Sequence, residues 1–203
     1  MKSLSEIETV SKRSSRAAGF SWGVAEEVGK NIKMLETFGI CGIKNLNYYF
    51  RIRSKKTFEK INLITNENKT TKLELCPIIA GLNFLDQVRN LENFREIRFK
   101  KIAYPLLFLP FISRASEVIG KKLQLNIDNR IFLLNYNNNI YSNSFNEGVV
   151  EIGNEILIKF HENEDSFKDS EWKELYKLSE KIFVEENESL KNSGAGAGLT
   201  DND

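Results

Sequence analysis

The chain has 203 residues, of which 41% are hydrophobic and 28% charged. That balance is ordinary for a folded globular chain and argues against wholesale disorder, a fibrous repeat or a membrane bundle. Lys and Arg total 29 against 28 Asp and Glu, a formal net charge of +1, whereas a nucleic-acid partner calls for a clear basic excess.

Ser3-Leu4-Ser5-Glu6 has the spacing of a capping box. It predicts a first helix from about Leu4 to Ala18, with Ile7, Val10, Ser14 and Ala17 on its inner stripe. The small residues on that stripe imply close packing against a neighbour. Gly19-Phe20-Ser21-Trp22-Gly23 breaks the helix, and Ser21 is a fair cap for a second one over Trp22 to Phe38. Val24, Val28, Ile32 and Leu35 give that helix its apolar face, and Gly39 its stop. A short third helix is expected over Ile43 to Phe50. Residues 51–72 read as an exposed polar connection with one strand near Ile61-Asn62-Leu63-Ile64. Thr71 to Ile79 reads as a strand ended by Gly81, with Asp86 in a loop or short helix beyond it.

Glu96 to Tyr104 reads as a strand, and its cations Arg95, Arg98, Lys100 and Lys101 as a solvated face. The apolar run from Tyr104 to Ile112 is far short of the ~20 residues that span a bilayer, so it is assigned to the core. A buried helix is expected from Leu106 to Ile119, across Pro110. Lys122 to Ile127, Arg130 to Tyr136, Ile140 to Phe145 and Glu155 to His161 alternate as strands of an antiparallel meander. Asp169 to Glu186 reads as an amphipathic helix with Trp172, Leu175, Leu178 and Ile182 facing inward. The expected fold is therefore α+β: a helical N-terminal third, an antiparallel sheet in the second half, and a C-terminal helix followed by a Gly/Ala-rich tail. One domain over residues 1–203 is expected, with the tail, 193–203, folded back or flexible.

Candidate chemistry is sparse. His161 is the only histidine, so any Ser-His-Asp or Cys-His arrangement has to pass through it. Cys41 and Cys76 are far apart and have no further ligands near them, which gives no support to a zinc site. With no export signal at the start, they fit a reduced, cytoplasmic compartment. Arg13 and Arg16 are three residues apart on one helix face, and the glycine-flanked turn returns Ser21, Trp22, Glu26 and Glu27 beside them. Two readings stay open. The charges form an inter-helix ion network, or the arginines clamp a small anionic metabolite, with Glu26 or Glu27 taking a proton or a metal and Trp22 walling the site. Gly194, Gly196 and Gly198 allow close backbone approach, and Asp201 and Asp203 add oxygen ligands. The cofactor is unspecified, and a protein partner docking through these same segments is the alternative to the metabolite. No membrane or nucleic-acid partner is expected.

Three segments carry a family resemblance: Leu4-Ser5-Glu6-Ile7-Glu8, Ser15 through Trp22 to Gly29, and Gly194 to Asp203. Cys76-Pro77-Ile78-Ile79-Ala80-Gly81 with Asp86, and Tyr104-Pro105-Leu106-Leu107, add to it. There the chain resembles a bacterial family known only as a domain of unknown function. It departs from the family pattern shortly before the terminal glycines, where the family carries Arg and this chain has Lys191. The resemblance brings no activity. It implies that the first interhelical turn and the tail matter together, closing a pocket between them.

Overall fold

The computed structural model describes residues 2–69, 72–144 and 148–182. The helices are α1 (Leu4–Ala17), α2 (Trp22–Thr37), α3 (Gly42–Arg53), α4 (Pro77–Leu91), α5 (Leu109–Ile119) and α6 (Asp169–Ser179). The strands are β1 (Glu67–Asn68), β2 (Glu96–Ala103), β3 (Lys122–Ile127), β4 (Arg130–Asn135), β5 (Asn139–Ser142) and β6 (Ile152–His161). The architecture is α+β. The chain divides into two units, Met1–Asn163 and Glu164–Asp203.

In the first unit, α1 and α2 form a tight antiparallel pair. Ser3 caps α1 by accepting the Glu6 N–H, and Ser21 caps α2 by accepting the Val24 N–H at 3.4 Å. The inner stripe of α1 is Ser11 and Ser15, both buried, flanked by Ile7. Val10 is 51% exposed and Ala17 is exposed, so the expected stripe is rotated by one residue. The reason is steric. A Cβ on Gly29 of α2 would stand 2.8 Å from the Glu8 carbonyl oxygen and 3.1 Å from Lys12 Cβ. Gly29 thus lets the α1 backbone at Glu8 and Lys12 approach α2 closely. Val28, Ile32 and Leu35 are buried, as their spacing predicts.

The strand expected over Thr71 to Ile79 is replaced by a helix start. Leu75 makes isolated ladder contacts to Glu59 and Ile102. Cys76 then caps α4 and Pro77 opens it, a position where proline has no helical hydrogen bond to lose. Gly81 and Asp86 lie inside α4. Gly81 is the point where α5 crosses, and a Cβ there would lie 2.2 Å from Phe111 Cδ2. Pro110 sits in the first turn of α5, which explains why it does not break that helix.

The sheet order is β1-β2-β6-β3-β4-β5. Only β3, β4 and β5 form a meander. β6 is inserted between β2 and β3, antiparallel to both, and β1 runs parallel to β2. Ile97, Phe99, Ile102, Leu123, Leu125, Ile127, Phe132, Leu134, Ile156 and Ile158 form the buried face. Arg98, Lys100 and Lys101 of β2 are exposed, the solvated face that their sequence suggested. Leu106 to Ile112 is buried throughout and lies at the centre of the core.

In the second unit, α6 is shorter than expected and residues 183–186 lie outside the described residues. Trp172, Leu175, Leu178 and Ile182, expected to face inward, are each more than half exposed. Trp172 does stack on Phe167, ring centroids 5.7 Å apart. Among the described residues no helix is long and apolar enough to cross a membrane.

Candidate functional site

The turn between α1 and α2 brings the nominated residues to one corner but pairs them differently. Arg16 donates to the Phe20 carbonyl at 2.9 Å and lies over the Trp22 ring, 5.4 Å from its centroid. Trp22 is 60% exposed and Ser21 is used as the cap. Arg13 is exposed. Neither arginine meets the carboxylates. Glu26 pairs with Lys12 at 3.2 Å and Lys30 at 3.5 Å. Glu27 pairs with Lys30 at 3.0 Å and with Arg114 of α5.

The two carboxyls are therefore ion-pair acceptors. The Lys12 hydrogen bond holds Glu26 below the usual carboxylate range, and the Lys12 and Lys30 charges add to it. For Glu27, burial pushes the carboxyl up, but the hydrogen bonds from Arg114 and Lys30 outweigh it and the net shift is downward. Such groups stay ionised at neutral pH. Gly194, Gly196, Gly198, Asp201 and Asp203 lie outside the described residues. His161 ends β6 opposite Lys122, its Nε2 buried and without a hydrogen bond.

The inner side of the same corner is more informative. Arg53, at the end of α3, donates through Nη1 to the Ala18 carbonyl and stands 4.3 Å over the Phe20 ring. It ties α3 to the turn. Behind it opens a cleft of about 310 Å³ walled by Phe20, Arg53, Lys56, Phe58, Lys60 and Cys76. Thr57 and Ile79 complete the lining, so three cations and no carboxylate surround this space. Lys56 is bound to Glu74 at 2.7 Å from outside the cleft lining, and its ammonium lies 5.4 Å over the Phe58 ring.

Cys76 belongs to the wall, and Tyr49 stands behind it. The Tyr49 oxygen and the Cys76 sulfur are 3.0 Å apart, and the sulfur accepts the Ile79 N–H at 3.5 Å from the first turn of α4. Burial, together with the neighbouring thiol, pushes the Tyr49 phenol far above its ordinary range. It remains a neutral hydrogen-bonding group at any working pH. The site thus offers cationic and aromatic recognition at its mouth and a thiol–phenol pair behind it.

Sequence reading missed this cleft. Arg51, Arg53, Lys55, Lys56 and Lys60 fall within ten residues with one acidic neighbour, Glu59. Its first part, Arg51 to Lys56, is a denser basic run than Arg95 to Lys101, but it sits in the stretch read as a connection. A second cleft, of about 370 Å³, lies on the outer sheet face beside Arg98, Lys100, Asp128 and Glu155. Its charges cancel locally, with Arg98 on Glu96 and Lys100 on Glu155 at 3.6 Å.

Comparison with known proteins places most of the corner and the cleft in one segment. Residues 2–76 match the family model described as Protein of unknown function (DUF3726). The matched segment runs from the approach to α1 up to Cys76, and it contains every residue named at the cleft except Ile79. The match agrees with the resemblance over its first two segments, does not extend to Tyr104–Leu107 or Gly194–Asp203, and assigns no activity. Neither the curated proteins nor the solved structures give a match. Among the described residues no group of three metal-binding side chains occurs.

Proposed function

We propose that the chain binds a small organic anion in the cleft on the inner side of the α1–α2 corner. The ligand class is the one expected from the sequence; the groups that receive it are Arg53, Lys56 and Lys60. The observation that carries the reading is the charge of the lining: Arg53 and Lys60, with Lys56 already paired to Glu74, and no carboxylate around about 310 Å³. Enclosure by Phe20, Phe58 and Ile79 lowers the local dielectric and strengthens the attraction for an anion with an apolar body. Arg16 supports the site indirectly, by holding the Phe20 carbonyl and with it the lip of the cleft.

The test is calorimetric titration with 4-methylpentanoate, using 4-methylpentylamine as the charge-reversed control. The acid is expected to bind saturably and the amine not at all. Lys60 is exposed, so Lys60→Ala leaves the fold intact and is expected to weaken the acid about tenfold, the worth of one charge-assisted hydrogen bond. Equal affinity for acid and amine, or an affinity that Lys60→Ala does not change, refutes the reading.

A further inference from the structure

Among the described residues, α3 is the one α-helix without an Asp or Glu. Residues 42–58 hold Lys44, Arg51, Arg53, Lys55 and Lys56 and no acidic side chain. The whole-chain charge of +1 conceals this run, because the rest of the chain is net acidic. Lys44, Tyr48, Arg51 and Lys55 follow the spacing of a single helical stripe, and all four are exposed. Lys55 lies just past the helix end, where its N–H donates to the Ile52 carbonyl at 2.8 Å and carries the turn on. On the other side of α3, Asn45, Leu46 and Tyr49 are buried. Among the described residues Lys44, Arg51 and Lys55 enter no ion pair, whereas Lys12, Lys30, Lys33 and Arg114 are each held by a glutamate. The helix dipole accounts for Arg51 in the last turn, but it disfavours Lys44 in the first.

Lys44, Tyr48 and Arg51 line an open groove of about 590 Å³, with Asn47 and Phe50 and no carboxylate. From Lys44 to Lys55 the cations are spread along about 16 Å of helix axis, which suits a chain of phosphates better than a single anionic group. Tyr48 stands between them, 38% exposed, with the Arg51 guanidinium 5.7 Å from its ring centroid. A planar ring beside a planar cation is a surface on which an unpaired base stacks. A bilayer fits less well, because a helix lying on one turns an apolar face toward it, and the exposed stripe of α3 has no aliphatic residue. An acidic peptide meets the charge but leaves the ring unused.

We infer that the exposed stripe of α3 binds single-stranded nucleic acid, with phosphates on Lys44, Arg51 and Lys55 and a base stacked on Tyr48. None of these four residues lines the anion cleft, so the stripe is independent of that site. The test is fluorescence anisotropy of labelled dodecauridylate titrated with the full chain at 50 and 200 mM salt. Saturable binding is expected, with a slope of about −2 in log affinity against log salt for three phosphate contacts, about a twentyfold loss over that range. Arg51→Ala, at an exposed position, is expected to flatten the slope by about 0.7. Tyr48→Leu keeps the bulk and loses the ring; it is expected to weaken binding about tenfold with the slope unchanged, while Tyr48→Phe binds as the wild type does. Absence of saturable binding at 50 mM salt overturns the assignment. So does a slope that Arg51→Ala leaves unchanged, or an affinity that Tyr48→Leu leaves unchanged. Displacement of the labelled strand by polyglutamate, or by an RNA duplex of the same length, as readily as by unlabelled dodecauridylate shows a surface that reads charge alone and overturns it too.

Discussion

At Glu27 two effects oppose each other. Burial raises the carboxyl and the bonds from Arg114 and Lys30 lower it, and the bonds prevail. A carboxyl depressed on folding stabilises the native state above its unfolded value, about 4.3. That contribution is lost as pH falls through the lower folded value. Glu27→Gln is therefore expected to cost about 1 kcal/mol at pH 7, and the deficit to shrink toward zero well below pH 4. Urea denaturation of both chains at pH 7, 5 and 3 checks this, and a deficit that stays constant with pH would exclude the ion pair as its source. The pairing of Glu27 with Arg114 was not legible from sequence. The spacing that suggested Arg13 and Arg16 as partners is local, while Arg114 comes from a helix 87 residues further along.

Among the elements, the α1–α2 seam shows how far patterning reaches. Small residues in α1 and the glycine in α2 announce close packing, and the structure has it at Gly29. The rotation of the stripe was hidden, because hydrophobicity ranks Val10 above Ser11 although Ser11 is the one buried. Ser11 Oγ is buried there without a partner. Ser11→Ala removes that burden with no loss of shape and is expected to stabilise the chain by about 1 kcal/mol, read from the urea midpoint. A destabilised variant would show that Ser11 is bonded in solution. The α4 start follows the same logic. Leu73-Glu74-Leu75 alternates like a strand, and the only mark of a helix is Pro77 after a cap. For the cleft, residues 51–60 carried the signal in their charge, but nothing local says that Cys76 and Phe20 close around them.

At the scale of the whole molecule, the sheet of the Met1–Asn163 unit depends on its last strand. The separate strands were legible from alternation, but their order was not, because periodicity does not say which edges meet. β2 and β3 never bond each other; each bonds β6. A chain ending at residue 150 is expected to lack a cooperative unfolding transition, measured by circular dichroism against urea, whereas one ending at residue 163 keeps it. A cooperative transition in the shorter chain would mean that the helices and β3–β5 fold alone. The inserted strand has a further consequence for how the chain is made. β2 is complete at Ala103 and β6 only at His161. At roughly 5–20 residues per second, the ribosome leaves the β2 edge waiting about 3–12 s, and the β3 edge about 2–7 s, for the segment that seals them. Chaperone demand in the cell should peak in that interval, before the polypeptide is released.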